Sequence, residues 1–137
     1  MALRLKIQDG SYSVCRYPAT ADARLLLERC IGAEFYSITR TKDEISVIQP
    51  ANIAGVGGDS KPAGKIESGW RLIKVEGPLD FGLVGIIHKI SERLAGAGVP
   101  LFVTSTFDTD YVMVKAERLA DAAEALNRDG ISIEHAK

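Results

Sequence analysis

Two hydroxyls and two carboxylates, those of Ser105, Thr106, Asp108 and Asp110, crowd around Phe107 at the end of an apolar run. Grouped this closely, such groups could receive an ammonium ion or a basic side chain. The same composition suits a plain hairpin turn, since Asp and Thr side chains bond nearby backbone N–H groups. Phe107 is then either a pocket wall or a turn aromatic. A second cluster lies upstream, where the strand-like run Trp70 to Glu76 breaks at Gly77-Pro78-Leu79-Asp80 into an amphipathic helix. A helix entered this way leaves its first amides without intrahelical partners, with the positive end of its dipole outward, which suits a carboxylate. Gly77 would let a ligand come close. Asp80, like Asp22 earlier in the chain, could instead cap its own helix and satisfy those amides internally. Together the clusters offer donors for one end of a small zwitterion and acceptors for the other.

Other chemistries find less support. His88 falls on the polar side of a helix with Glu92 one turn on, and His135 lies in the C-terminal tail; neither has a nucleophile at a suggestive spacing. Cys15 and Cys30 have no Cys-x-x-Cys spacing and no nearby histidine, so they read as buried small side chains and not as a metal set. The Gly55-Val56-Gly57-Gly58 stretch lacks the Lys-Ser/Thr pair of a phosphate loop. Seventeen basic against eighteen acidic side chains leave a formal charge of −1, too little surplus to favour nucleic acid or an anionic membrane. No run reaches the apolar length that spanning a bilayer requires, and the N-terminus alternates charged and apolar residues, so a cytoplasmic location is expected. The chain's 137 residues, 46% of them hydrophobic, allow one modest core or two small ones.

The elements that must position these clusters follow from periodicity. Leu3 to Gln8 and Tyr12 to Tyr17 alternate in polarity around Asp9-Gly10, which predicts a hairpin. Ala21 to Cys30 fits a short helix with Asp22 near its start and Gly32 beyond its end. Phe35 to Thr39 and Ile45 to Ile48 read as strands around the polar turn Thr41-Lys42-Asp43-Glu44. Pro50 to Gly69 shifts to Gly, Pro, Ala and Ser and reads as a connection between modules.

In the second half Leu83, Ile86, Ile87, Ile90 and Leu94 recur at helical spacing, and Gly96, Gly98 and Pro100 end that helix. Strands Leu101 to Thr106 and Tyr111 to Lys115, a helix over Leu119 to Leu126 and a short strand at Ile131 to Ile133 complete the order strand, helix, strand, strand, helix, strand. This is a ferredoxin-like unit, α+β, with helices on one face of an antiparallel sheet. Laid over the first half, Phe35 to Pro50 matches Leu101 to Ala116 in pattern, with no identities, and Asp22 falls on Asp80. A degenerate duplication is the reading, with units at 1–62 and 63–137.

Gly69-Trp70-Arg71-Leu72, Glu76-Gly77-Pro78-Leu79-Asp80-Phe81 and Ser105-Thr106-Phe107-Asp108-Thr109-Asp110-Tyr111-Val112-Met113-Val114-Lys115 resemble the ACT-domain family. More closely, the chain resembles small bacterial tandem-ACT proteins related to the cytosolic arginine sensors of the animal TOR pathway. The resemblance is specific from about Gly69 to Gly130 and loose before Pro50. It implies paired, non-catalytic ACT-like units that need no cofactor and bind an amino acid at an interface. A homodimer and an unidentified protein effector are the implied partners. Carried over position by position, it implies a pocket lined by Gly77, Leu79, Asp80 and Phe81 and by Ser105, Thr106, Phe107, Asp108 and Asp110. A rival reading is a scaffold without ligand; another is a small acid–base enzyme using Asp108, Asp110 or His88. Strand pairing across the subunit boundary is expected at Trp70 to Glu76.

Overall fold

A computed structural model describes residues 3–53, 65–76, 85–128 and 130–136. Among them are eight strands and three α-helices, with one 3-10 turn. The strands are β1 (Leu3–Ile7), β2 (Tyr12–Pro18), β3 (Ser37–Arg40), β4 (Glu44–Pro50), β5 (Lys65–Val75), β6 (Phe102–Ser105), β7 (Asp110–Lys115) and β8 (Ile131–His135). The helices are α1 (Ala23–Cys30), α2 (Ile86–Gly96) and α3 (Leu119–Leu126). The architecture is a ferredoxin-like mixture of α and β.

The chain divides into two compact units, Gly10–Trp70 and Met1–Asp9 together with Arg71–Lys137. This grouping differs from the contiguous pieces 1–62 and 63–137. Its cause is β1, which pairs antiparallel with β5 at Leu5–Val75, Lys6–Lys74 and Ile7–Ile73, and parallel with β8 along its whole length. The Asp9-Gly10 turn therefore does not close a hairpin: β1 and β2 pair not with each other but each with a different part of β5, and they fall in different units. The parallel β1–β8 pair also makes that sheet mixed, where an antiparallel one was expected.

In the Gly10–Trp70 unit the strand order is β3-β4-β2-β5, all antiparallel. The stretch read from composition as a connection supplies strand from Lys65 onward. Between the pairs Tyr12–Trp70 and Val14–Glu67 the register shifts by one residue. Gly69 takes φ +82 there, a backbone that only glycine adopts cheaply and that lets a bulge absorb the extra residue. Cys15, Tyr17, Leu26, Cys30, Ile45 and Val47 form this unit's core. Asp22 does cap its own helix, its Oδ1 accepting from the Arg24 and Leu25 amides at 3.0 and 3.4 Å.

The other unit holds β6, β7, β1, β8 and the Arg71–Val75 part of β5. Its core joins one face of the strands (Leu3, Leu5, Ile7, Ile73, Val75, Val112, Val114) to the apolar stripes of the helices (Ile86, Ile90, Leu94, Ala122, Leu126). β5 pairs with both β1 and β7, so Trp70 to Glu76 is no sheet edge; β6, which among the described residues pairs with β7 alone, is one. The stop of α2 matches its sequence signals. Gly98 adopts φ +71, and the Val99 amide donates back to the Leu94 carbonyl at 2.9 Å. Arg118 then donates to the Gly98 and Ala97 carbonyls at 3.0 and 3.3 Å, supplying positive charge where the helix dipole ends negative. His135 closes β8 opposite Ile7 and is not a loose tail.

Candidate functional site

The hydroxyl and carboxylate cluster is built by the β6–β7 hairpin. β-Branched and aromatic residues give both strands, and the register pairs Phe102 with Met113, Val103 with Val112, Thr104 with Tyr111 and Ser105 with Asp110. Directly opposed residues share a face, so the Ser105 and Asp110 side chains meet: Ser105 Oγ donates to Asp110 Oδ1 at 2.6 Å. Asp110 also shares strand parity with Val112 and Val114, which puts it at the end of the helix-covered face.

The turn between the strands is closed by two threonines. The Thr106 amide donates to the Thr109 carbonyl at 2.8 Å. The Thr109 amide donates to Thr106 Oγ1 at 3.2 Å, and that hydroxyl is in turn 3.2 Å from the Thr109 carbonyl. Phe107 and Asp108 project from the turn, Phe107 with 81% of its surface exposed.

Thr109 is 4% exposed and its Oγ1 donates to the Val75 carbonyl at 2.6 Å. The turn is thereby fixed to the last residue of β5, just before Glu76, whose amide donates to the Arg4 carbonyl at 2.8 Å. Ser105, Thr106, Asp108 and Asp110 are thus brought together, and Thr109 joins them as a residue that sequence reasoning passed over. Its signal was present: Thr106 and Thr109 are three apart, a spacing at which hydroxyls close turns. Gly77, Leu79, Asp80 and Phe81 lie outside the described residues.

Chemically the hairpin end offers acceptors. Asp108 presents a carboxylate to solvent, and Asp110 presents one already oriented by a hydroxyl, an arrangement suited to an ammonium or guanidinium group. Among the described residues no cluster of three or more His, Cys, Asp or Glu could hold a metal. His88 is exposed on α2. A separate groove of about 300 Å³ is lined by Ala97, Asp121, Glu124, Ala125 and Arg128.

The cysteines occupy the core of the Gly10–Trp70 unit, both free and buried. One buried carboxamide joins them: Cys30 Sγ donates to Gln49 Oε1 at 3.5 Å, and Gln49 Nε2 donates to Cys15 Sγ at 3.4 Å. Burial pushes both thiols above their ordinary pKa, and the nearby Cys15 adds to the rise at Cys30. The thiolates that metal binding or nucleophilic attack require are therefore disfavoured.

Residues 65–128 match the family model described as "ACT domain". A curated relative, the "Cytosolic arginine sensor for mTORC1 subunit 1" of Bos taurus, is 34% identical over 65 residues, which are 45% of this chain and 20% of that protein. The chain thus matches only about a fifth of that relative's length. Among solved structures, protein Atu0741 from Agobacterium tumefaciens is 31% identical with a TM-score of 0.83, over 100% of this chain and 96% of that one. The regulatory subunit of aspartate kinase from Thermus thermophilus, in its ligand-free form, aligns with a TM-score of 0.56 at 12% identity, over 91% of this chain and 95% of that one, a likeness of fold alone. No helix among the described residues is long and apolar enough to cross a membrane.

Proposed function

Because the chain belongs to the ACT-domain family, we propose that it is a non-catalytic, amino-acid-binding regulatory protein. In this reading the ligand lies between the strand-to-helix break at Gly77, Leu79, Asp80 and Phe81 and the turn at Ser105, Thr106, Phe107, Asp108 and Asp110. Backbone amides at the break take the carboxylate, and the acidic turn takes the positive charge. The observation that carries the reading is the Thr109–Val75 hydrogen bond, which ties the acidic turn to the end of the strand that leads into that break.

The tandem arrangement belongs to the same proposal. The Gly10–Trp70 unit contributes β2, α1, β3, β4 and the first part of β5; the other repeats the opening strand, helix, strand, strand with β5, α2, β6 and β7, goes on through α3 and β8, and takes in β1 as an extra strand. Ligand capture shifts the population between assemblies or partner contacts, in a homodimer acting on a protein effector in the cytoplasm. The likeness to a named arginine sensor and the two turn carboxylates put L-arginine first among ligands to try.

A thermal-shift screen of the twenty amino acids tests the reading. A ligand present at a hundredfold its Kd stabilises by about 2.7 kcal/mol, so a true ligand raises Tm visibly. The expected shift is lost in Asp108→Ala and Asp110→Ala. A stable dimer with no shift from any amino acid would indicate the scaffold instead, and a shift that survives both substitutions would put the ligand elsewhere.

A further inference from the structure

We propose that the outer edge of β8 pairs antiparallel with β8 of a second copy of this chain, across a two-fold axis at Ile133; this gives the homodimer of the reading above its contact surface and rests on that part of it alone. β8 ends the strand order, and among the described residues β1 is its one strand partner. Along that parallel ladder the Leu3 amide donates to the Gly130 carbonyl and the Ala136 amide to the Ile7 carbonyl, both at 2.8 Å. Successive strand residues turn their backbone groups to opposite sides, so Ser132 and Glu134 serve β1 while Ile131, Ile133 and His135 turn theirs away from it. The Ile131 amide donates to the Arg128 carbonyl at 3.0 Å. The Ile133 and His135 amides, and the carbonyls of Ile131, Ile133 and His135, bond to nothing among the described residues. Sheet edges are ordinarily blunted by Pro, Lys or a bulge. Ile131-Ser132-Ile133-Glu134-His135 holds neither Pro nor Lys, and its register with β1 is unbroken throughout.

More than one antiparallel register would satisfy the outward groups, and the side chains choose between them. Centred on Glu134, the pairing sets that carboxylate opposite itself, a like-charge pair that destabilises. Centred on Ile133, it sets the exposed Ser132 hydroxyl opposite Glu134 of the other copy, a donor against an acceptor. Glu134 keeps its ion pair with Lys6, which reaches it from the β1 side. In this register the Ile133 amide of each copy donates to the other's Ile133 carbonyl, and each His135 amide donates to the other's Ile131 carbonyl. Ile133 is half-buried and packs against the core, so meeting its own counterpart extends that core across the axis. The edge is thus its own complement, as a two-fold contact requires.

The test uses the full chain as wild type, Ile133→Lys and Ile133→Glu, with sedimentation velocity for assembly and NMR for amide exchange. Wild type is expected to be a dimer, and each variant alone to dimerise about tenfold or more weakly, because like charges then face each other on the axis. Mixing the two variants is expected to restore the dimer as a heterodimer, seen by native mass spectrometry. Exchange of the Ile133 and His135 amides is expected to be about tenfold or more slower in the wild-type dimer than in the variant monomers, with the Ser132 and Glu134 amides unchanged. A monomeric wild type overturns the inference. So does a dimer whose Ile133 and His135 amides exchange freely, or one that both substitutions leave intact. If the Ile133 variants do not fold, His135→Pro decides: it removes an outward amide that β1 does not use, at an exposed side chain, and must weaken the dimer about fivefold or more. The ligand reading fails separately: a dimer with a protected β8 edge and no thermal shift from any amino acid leaves this contact standing and removes the sensor.

Discussion

Leu5 and Val75 face each other across an antiparallel strand pair, 1% and 0% exposed, although one lies near the start of the chain and the other past its midpoint. The first strand is therefore an inner strand of the unit that carries the candidate site. Deleting residues 2–9 should abolish that unit's cooperative melting, seen as a lost near-UV circular dichroism transition. Leu5→Ala should cost about 2–5 kcal/mol in urea unfolding, as a buried large-to-small change does. A truncated chain that melts like wild type would remove β1 from the core.

Ser105 Oγ and Asp110 Oδ1 lie 2.6 Å apart on one face of the hairpin. Ser105→Ala should weaken amino-acid binding by about three- to tenfold, since a hydrogen bond to a charged group contributes about 1.5–3 kcal/mol and part of it survives through water. Asp110→Asn should weaken it further, because the amide keeps the outline but loses the charge. Calorimetry in low and high salt separates the effects: the Asp110→Asn loss should shrink as salt rises, and the Ser105→Ala loss should not.

Cys15, Cys30 and Tyr17 all have pKa values raised in the folded protein, with desolvation by burial the largest cause at each. Starting from ordinary values of 9.0 for the thiols and 10.0 for the phenol, the unfolded chain releases these protons first as pH rises. Their contribution to stability is whole below the unfolded values and is lost as pH climbs through the folded ones. Urea midpoints should therefore fall above about pH 9, and Cys15→Ala/Cys30→Ala should flatten that fall. In the native protein both thiols should react with a thiol-specific chromogen only at the rate of unfolding.

Helix ends offer a further check. Asp22→Ala removes the carboxylate that accepts two α1 amides and should cost about 1 kcal/mol. Arg118→Ala removes the donors to the Ala97 and Gly98 carbonyls and the ion pair with Asp121 at 3.1 Å. Both partners of that pair are substantially exposed, so the loss should stay within about 1 kcal/mol by urea unfolding.

Much of the fold was legible because it is written in local patterns. The helical spacing of Ile86, Ile90 and Leu94 marked the face that α2 buries, Gly98 marked its end, and β-branched and aromatic runs marked β6 and β7 on either side of their turn. Strand pairing was less legible. Asp9-Gly10 carries a hairpin signal that the structure does not use, since the alternation of Leu3 to Ile7 specifies a half-buried strand without specifying its neighbour. The Pro50 to Gly69 composition hid the start of β5 because Lys65 to Ser68 are exposed and give no apolar alternation to read.

The candidate site divides along the same line. By itself the sequence determined that hydroxyls and carboxylates gather at Ser105 to Asp110 and that a turn joins two strands there, because residue type and spacing act over a few positions. Only the tertiary structure decided which strand the turn stands against, that Ser105 meets Asp110, and that the Thr109 hydroxyl reaches the Val75 carbonyl. Those are contacts between segments distant in sequence or opposed across a register, and they exist once burial of the core has fixed which strands lie side by side.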